Sequence, residues 1–172
     1  MRLHLHPDSR CDAVDSIVVE AGRAEQGLSL RYRLTGDLAA LVLPEPARPE
    51  RADELWRHTC FEAFVAGEGA AYREFNFAPS REWAAYEFDG YRQGMRPAAI
   101  DPPAIEGIRN AGALQLVTRI EVSSGPLSLG LSAVVEERGG RISYWALAHP
   151  PGKPDFHSPD CFALRLPAVE RS

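Results

Sequence analysis

The run Cys60-Phe61-Glu62-Ala63-Phe64-Val65, followed by Tyr72-Arg73-Glu74-Phe75-Asn76-Phe77, decides the fold. Between the two runs lies Ala66-Gly67-Glu68-Gly69-Ala70-Ala71, a glycine-bearing break. Aromatic-rich runs of this length around a Gly-rich break predict a β-hairpin. Side chains alternate across a strand, so Phe61, Ala63 and Val65 share one face, and Cys60, Glu62 and Phe64 share the other. In the second strand Phe75 and Phe77 lie opposite Tyr72, Glu74 and Asn76. With the apolar sets turned to a core, the far face collects two carboxylates, an amide and a tyrosine. Like charges on neighbouring strands destabilise one another. Compensation is expected from Arg57, Arg73 or Arg81, from a cation, or from a ligand rich in hydroxyl donors. The plain reading of this face is a solvated one; the functional reading is a ligand-binding one.

Outward from the hairpin, the same period recurs. Leu28, Leu30, Tyr32 and Leu34 alternate with Ser29, Arg31 and Arg33, the pattern of a half-buried strand. Leu3–His6, Ile17–Arg23, Leu41–Leu43, Trp83–Phe88, Leu114–Val122, Leu127–Glu136, Arg141–Leu147 and Phe162–Leu166 are further predicted strands. Gly139-Gly140 supplies a turn. Prolines mark 44–49 and 148–160 as loops, since proline donates no ladder hydrogen bond. The stretch 89–112, with Pro97, Pro102 and Pro103, also reads as loop. Helical periodicity is weak, with one short turn in 51–58. About ten short strands without a domain boundary predict an all-β antiparallel sandwich, jelly-roll-like, over a single domain, 1–172.

Composition narrows the function classes. The 172 residues are 45% hydrophobic and 25% charged, which excludes a disordered chain. A net charge of −5 argues against a nucleic-acid binder. No apolar run reaches the roughly 18 residues of a membrane span, and no apolar signal core follows Met1, so a cytoplasmic protein without a membrane partner is expected. Cys11, Cys60 and Cys161 are too few and too far apart for a disulfide framework. The phosphate loop, the GxGxxG turn, the GxSxG elbow and the HExxH helix are all missing. Non-catalytic binding is therefore favoured over catalysis, and no resident cofactor or metal is expected.

Two groups of residues carry candidate chemistry. Trp56 precedes the first strand, and with Glu62 and Asn76 it has the residue types that sugar recognition needs. An aromatic plate covers the apolar face of the ring, and polar side chains pair the hydroxyls. Trp83 and Trp145, inside strands, are expected in the core. The second group is the loop His149-Pro150-Pro151-Gly152-Lys153-Pro154-Asp155-Phe156-His157-Ser158-Pro159-Asp160. His149, Asp155, His157 and Asp160, joined by His6 or His58, define an alternative, a metal-assisted enzyme. The spacing matches no established zinc signature.

Trp56, Cys60–Phe64 and Tyr72–Pro79, together with Phe156–Leu164, resemble the DOMON-like superfamily, in a bacterial subgroup. That superfamily includes the family 9 carbohydrate-binding modules and haem-binding cytochrome domains. The resemblance rests on about forty residues and implies an antiparallel β-sandwich. It also implies a sugar clamped between a tryptophan ahead of the E-x-F strand and an aromatic of the last loop. Trp56 and Glu62 match the first elements by spacing, and Phe156 or His157 falls near the last. The family's partner-strand arginine is replaced by Asn76 or its neighbours, and its second tryptophan is missing. The expected ligand site is thus Trp56, Arg57, Glu62, Arg73, Glu74, Asn76, Phe156 and His157. The cytochrome relatives imply the alternative of b-type haem, held by Met95 with His149, Lys153 or His157 as the opposite axial ligand.

Overall fold

The computed structural model describes residues 1–24 and 27–169. In chain order the strands are β1 (His4–Leu5), β2 (Val14–Ala24), β3 (Gly27–Gly36), β4 (Cys60–Ala66), β5 (Tyr72–Phe77) and β6 (Trp83–Phe88). They continue as β7 (Arg96–Pro97), β8 (Ala104–Arg109), β9 (Ala113–Ile120), β10 (Leu127–Glu136), β11 (Ile142–Ala146) and β12 (Leu164–Leu166). The hairpin of β4 and β5 forms as its pattern demands, with Glu62 opposite Asn76 and Phe64 opposite Glu74. It lies within an eight-stranded sheet ordered β1-β11-β10-β4-β5-β6-β7, with β12 pairing the start of β10. A second sheet runs β2-β3-β9-β8.

The two sheets pack face to face. From the small sheet, Ile17, Val19, Leu30, Tyr32, Leu34 and Leu116 enter one core with Phe61, Ala63, Phe75, Phe77, Leu129, Leu131 and Val135 of the large sheet. Trp83 and Trp145 belong to that core, as their place inside strands predicts. Tyr32 lies stacked on Phe61, with ring centroids 5.0 Å apart. Its hydroxyl donates to the Glu62 carbonyl at 2.7 Å, a buried strut between the sheets. The fold is the all-β antiparallel sandwich predicted from the strand pattern.

Three details differ from the sequence reading. Leu41–Leu43 forms no strand; Leu41 makes one isolated bridge to Glu137, because the prolines from Pro44 onward stop the ladder. The stretch 89–112 contains β7 and the six-residue β8, an edge strand on which Ile105 is buried and Ile108 stands 60% exposed. The helical turn in 51–58 is reduced to a 3-10 turn, Leu55–Arg57. Among the described residues no helix is long and apolar enough to cross a membrane.

The largest departure concerns the outer face of the large sheet. Every residue of Cys60–Val65 is buried, on both faces of β4. A second apolar cluster covers the outer face: Phe64, Tyr72, Ala84, Tyr86, Phe88, Val134 and Ala146, capped by Phe156 and Phe162 from the proline-rich loop and its exit. The loop can approach because β10 carries Gly130 there. A Cβ on Gly130 would stand 3.2 Å from the Cys161 carbonyl oxygen and 3.4 Å from the Phe64 Cβ. The carboxylates of this face are therefore held in a covered pocket, not in solvent.

Candidate functional site

The pocket between the outer face and the covering loop has a volume of about 350 Å³. Glu62 and Glu74 lie among its lining residues, with Trp56, Phe64, Phe88, Tyr144 and Phe156 supplying aromatic surface. Arg92, Met95 and Pro154 contribute from loops, and His157 from the covering segment. Clefts that bind small molecules occupy about 300–1,000 Å³, so this one suits a ligand at the small end of that range.

The strand register fixes the acids. Glu62 sits opposite Asn76 on one side and Ser132 on the other. Glu74 sits opposite Phe64 and Tyr86. Glu62 and Glu74 are thus diagonal neighbours, close enough in a sheet to sense each other's charge. Glu62 is 2% exposed, Glu74 5% and Asn76 0%. Ser132 Oγ donates to Glu62 Oε2 at 3.1 Å, and Asn76 Nδ2 donates to Glu74 Oε1 at 2.8 Å. Burial pushes both carboxyl groups to titrate above the usual carboxylate range; for Glu62 the neighbouring Glu74 charge adds to the effect.

His157 completes the polar side. Tyr72 Oη and His157 Nδ1 are 2.7 Å apart, and His157 Nε2 is 3.7 Å from Glu74 Oε2. Burial, with the Arg92 charge, lowers the His157 pKa to about 4, so the ring is neutral at pH 7. The Arg92 backbone N–H donates to Tyr72 Oη at 3.3 Å. A neutral His157 then accepts from Tyr72 at Nδ1 and turns Nε2–H toward Glu74. Arg92 itself donates to Asp155 Oδ1 at 2.8 Å, and Tyr91 Oη donates to the other oxygen of that carboxylate. Asp155 also accepts from the His157 backbone N–H at 3.2 Å, so this carboxylate ties the 89–95 turn to the covering loop.

On the opposite side, the 3-10 turn Leu55–Arg57 places Trp56 edge-on to Tyr86, with centroids 5.8 Å apart. Tyr86 Oη donates to Asp53 Oδ1 at 2.6 Å, which anchors the segment ahead of that turn.

The structure brings Trp56, Glu62, Glu74, Phe156 and His157 around one pocket, with Asn76 directly beneath as the partner of Glu74. Two expected residues lie elsewhere. Arg57 pairs with Glu54 at 2.8 Å on the surface. Arg73 follows the alternation to the other face of the sheet and lines a separate groove with Glu87 and Arg96. Neither offsets the buried acids. Arg92, which the sequence reading passed over, is the cation at the pocket. It sits at a left-handed φ of 52° inside a tight turn closed by Asp89 N–H to Gln93 O and Gln93 N–H to Gly90 O. The glycines at 90 and 94 were the sequence signal for that turn.

The alternatives fare differently. For haem, Met95 and His157 do reach the pocket, but both His157 nitrogens face protein groups. His149 Nε2 is bonded to the His4 carbonyl at 2.8 Å, and Lys153 is an exposed loop residue outside the lining. No opposed axial pair is assembled, so these residues do not fit haem. For the metal-assisted alternative, no group of three or more His, Cys, Asp or Glu side chains is placed to hold a metal ion among the described residues. Asp155 is taken by Arg92 and Tyr91, and Ser158 Oγ accepts from the Asp160 N–H to cap the 3-10 turn Pro159–Cys161.

Comparison with known proteins gives a fold likeness. The chain is similar in structure to a proposed carbohydrate-binding protein from Bacteroides uniformis, with a TM-score of 0.66 over 85% of this chain and 75% of the other, at 15% sequence identity. No family model matches the sequence, and no curated protein matches it.

Proposed function

We propose that the chain binds a small carbohydrate, one or two sugar rings, in the outer-face pocket and does so without catalysis. The observation that carries this reading is the meeting of Trp56 with two deeply buried hydrogen-bond acceptors, Glu62 and Glu74, in one cleft. A sugar ring presents an apolar face that packs on an aromatic side chain, and hydroxyls that need paired partners when they leave water. Trp56 serves the first need. Glu62, Glu74 and the Nε2–H of His157 serve the second. The structural likeness to a proposed carbohydrate-binding protein supports the same reading, as does the resemblance to DOMON-like domains, of which we propose this chain to be a divergent example.

The test is a tryptophan-fluorescence titration with a panel of mono- and disaccharides, on the wild type and on Trp56→Ala. A saturable change that disappears in Trp56→Ala is expected. A flat wild-type response across the panel overturns the reading.

A further inference from the structure

Among the described residues no Arg or Lys side chain pairs directly with the buried acids, although the nearby Arg92 charge eases the ionisation of Glu74. Arg57 is paired with Glu54, Arg73 lies on the other face, and Arg81 donates to the Ala47 carbonyl at 2.6 Å. Arg92 reaches the pocket, but its guanidinium is held by Asp155. The groups that face the acids are otherwise neutral or anionic. They are Cys60 on β4, Tyr72 and Asn76 on β5, Tyr86 on β6 with Asp53 behind it, Ser132 on β10, and His157 from the loop. Glu62 Oε2 is satisfied by Ser132, while Oε1 has no hydrogen-bond partner among the described residues. Glu74 Oε2 has only the distant His157 Nε2. Two acceptor oxygens on carboxylates at least nine-tenths buried thus border the cavity without a full partner.

The same cavity is lined by the rings of Trp56, Phe64, Phe88, Tyr144 and Phe156. Aromatic faces attract cations through their quadrupoles, and a buried carboxylate pair is relieved by a positive partner. A neutral polyol pairs the acceptor oxygens but leaves the carboxylate charge unmet; a protonated amine answers both.

We propose that the occupant of this pocket carries a protonated amine, an amino sugar, with the ammonium group seated against Glu62 and Glu74 among the aromatic side chains that line the cavity. This rests on the sugar-binding reading and narrows it. Because burial leaves the acids protonated to higher pH than usual, seating an ammonium favours their ionised forms and releases protons to solvent.

The experiment is isothermal titration calorimetry at pH 6.5 in two buffers of different ionisation enthalpy. The gluco, galacto and manno forms are each compared as 2-amino sugar, neutral hexose and N-acetylated amine, with cyclohexylamine as a hydroxyl-free amine ring. For at least one series the amino sugar is expected to bind about tenfold or more tighter than the neutral and acetylated forms, with net proton release. Glu62→Gln and Glu74→Gln, which keep the shapes, are expected to erase that preference. Should either variant fail to fold, the wild-type preference for the amino sugar over the neutral and acetylated forms decides alone. Neutral hexoses binding as tightly as amino sugars overturn the inference and leave the sugar reading standing. Cyclohexylamine binding as tightly as the amino sugars, alongside silent neutral sugars, overturns both the sugar reading and the amino-sugar inference. Silence from every probe overturns both.

Discussion

Replacing Phe64 by alanine decides whether the outer face of the large sheet is truly covered. On a solvated face the change would be nearly silent. In the structure Phe64 is 2% exposed. Its ring centroid lies 5.1 Å from His157, 6.2 Å from Phe162, 6.3 Å from Tyr72 and 6.5 Å from Phe156. Truncating a buried phenylalanine to alanine costs about 3–5 kcal/mol through lost transfer energy and the cavity left behind. One side of Phe64 already borders the pocket, so part of that cavity exists beforehand, and the cost should fall near the lower end, about 3 kcal/mol. For a chain of this size each kcal/mol moves the melting temperature by about 2–4 °C, so Phe64→Ala should melt roughly 6–12 °C below the wild type. Ile108→Ala, at a residue 60% exposed on β8, is the control and should stay within about 0.5 kcal/mol. Thermal melts by circular dichroism give both values. A Phe64→Ala melting point within about 2 °C of wild type would mean that the aromatic layer does not hold the loop, and the pocket would lose its roof.

Three further outcomes are expected. Glu62 and Glu74 keep their protons to higher pH when folded than when unfolded. Their burial therefore costs nothing below the unfolded carboxylate range and destabilises increasingly as pH rises through the raised folded values. The double variant Glu62→Gln/Glu74→Gln should gain on the wild type in urea midpoint between pH 4.5 and pH 8, and a constant difference would refute this. The His157 imidazole acts in the opposite sense: its folded pKa of about 4 lies below the ordinary value, so its stabilising share is lost as pH falls from about 6.5 toward 4, and the wild-type curve contains both slopes. Tyr32→Phe removes the 2.7 Å strut to the Glu62 carbonyl and should cost about 1 kcal/mol by chemical denaturation; no loss would show that the hydroxyl contributes nothing net. Gly130→Ala forces a Cβ against the Cys161 carbonyl at 3.2 Å. It should speed hydrogen exchange of the Cys161 and Phe162 amides, whereas Gly22→Ala, with open space around its Cβ position, should leave them unchanged.

The fold was legible because strand alternation reports one face at a time and the inner face is mostly apolar, with Thr118 and Ser143 among its few buried polar side chains. Leu28, Leu30, Tyr32 and Leu34 are all buried, and so are Phe61, Ala63, Val65, Phe75 and Phe77. The weak elements were those where tertiary pairing overrides a poor local pattern. β8 buries only Ile105 and includes Gly107, and β7 is two residues ending in Pro97. The site was half legible. Alternation put Glu62, Glu74, Asn76 and Tyr72 on one face, and the register joins them there. The burial of that face was not read, although Phe64 and Tyr72 on it were the clue: large rings on a strand's second face call for a cover. The cover comes from a loop some ninety residues downstream, and no periodicity reports a contact of that range. Arg92 escaped for a similar reason, since its place depends on a left-handed turn and on Asp155, far along the chain.

Stability alone does not explain this outer face. β4 is buried on both faces, and an apolar side chain at position 62 or 74 would satisfy such a site at less cost than a carboxylate that no Arg or Lys side chain pairs directly. The nearby polar groups do not neutralise the acids. Ser132 and Asn76 each satisfy one oxygen, and His157 is neutral at pH 7. A hydrogen-bonded pair held in this way is oriented and underpaired, and its remaining oxygens border a cavity instead of packed side chains. The groups that could have closed the cavity are drawn off elsewhere: Arg92 and Tyr91 to Asp155, Tyr86 to Asp53. Those same contacts fix the cavity's two walls, one through the 89–95 turn and the covering loop, the other through the segment leading to Trp56. A rigid wall reduces the ordering cost of binding, and an underpaired acid rewards an incoming donor more than a satisfied one would. The strain left in the free protein is thus placed where a donor-rich or cationic ligand would remove it.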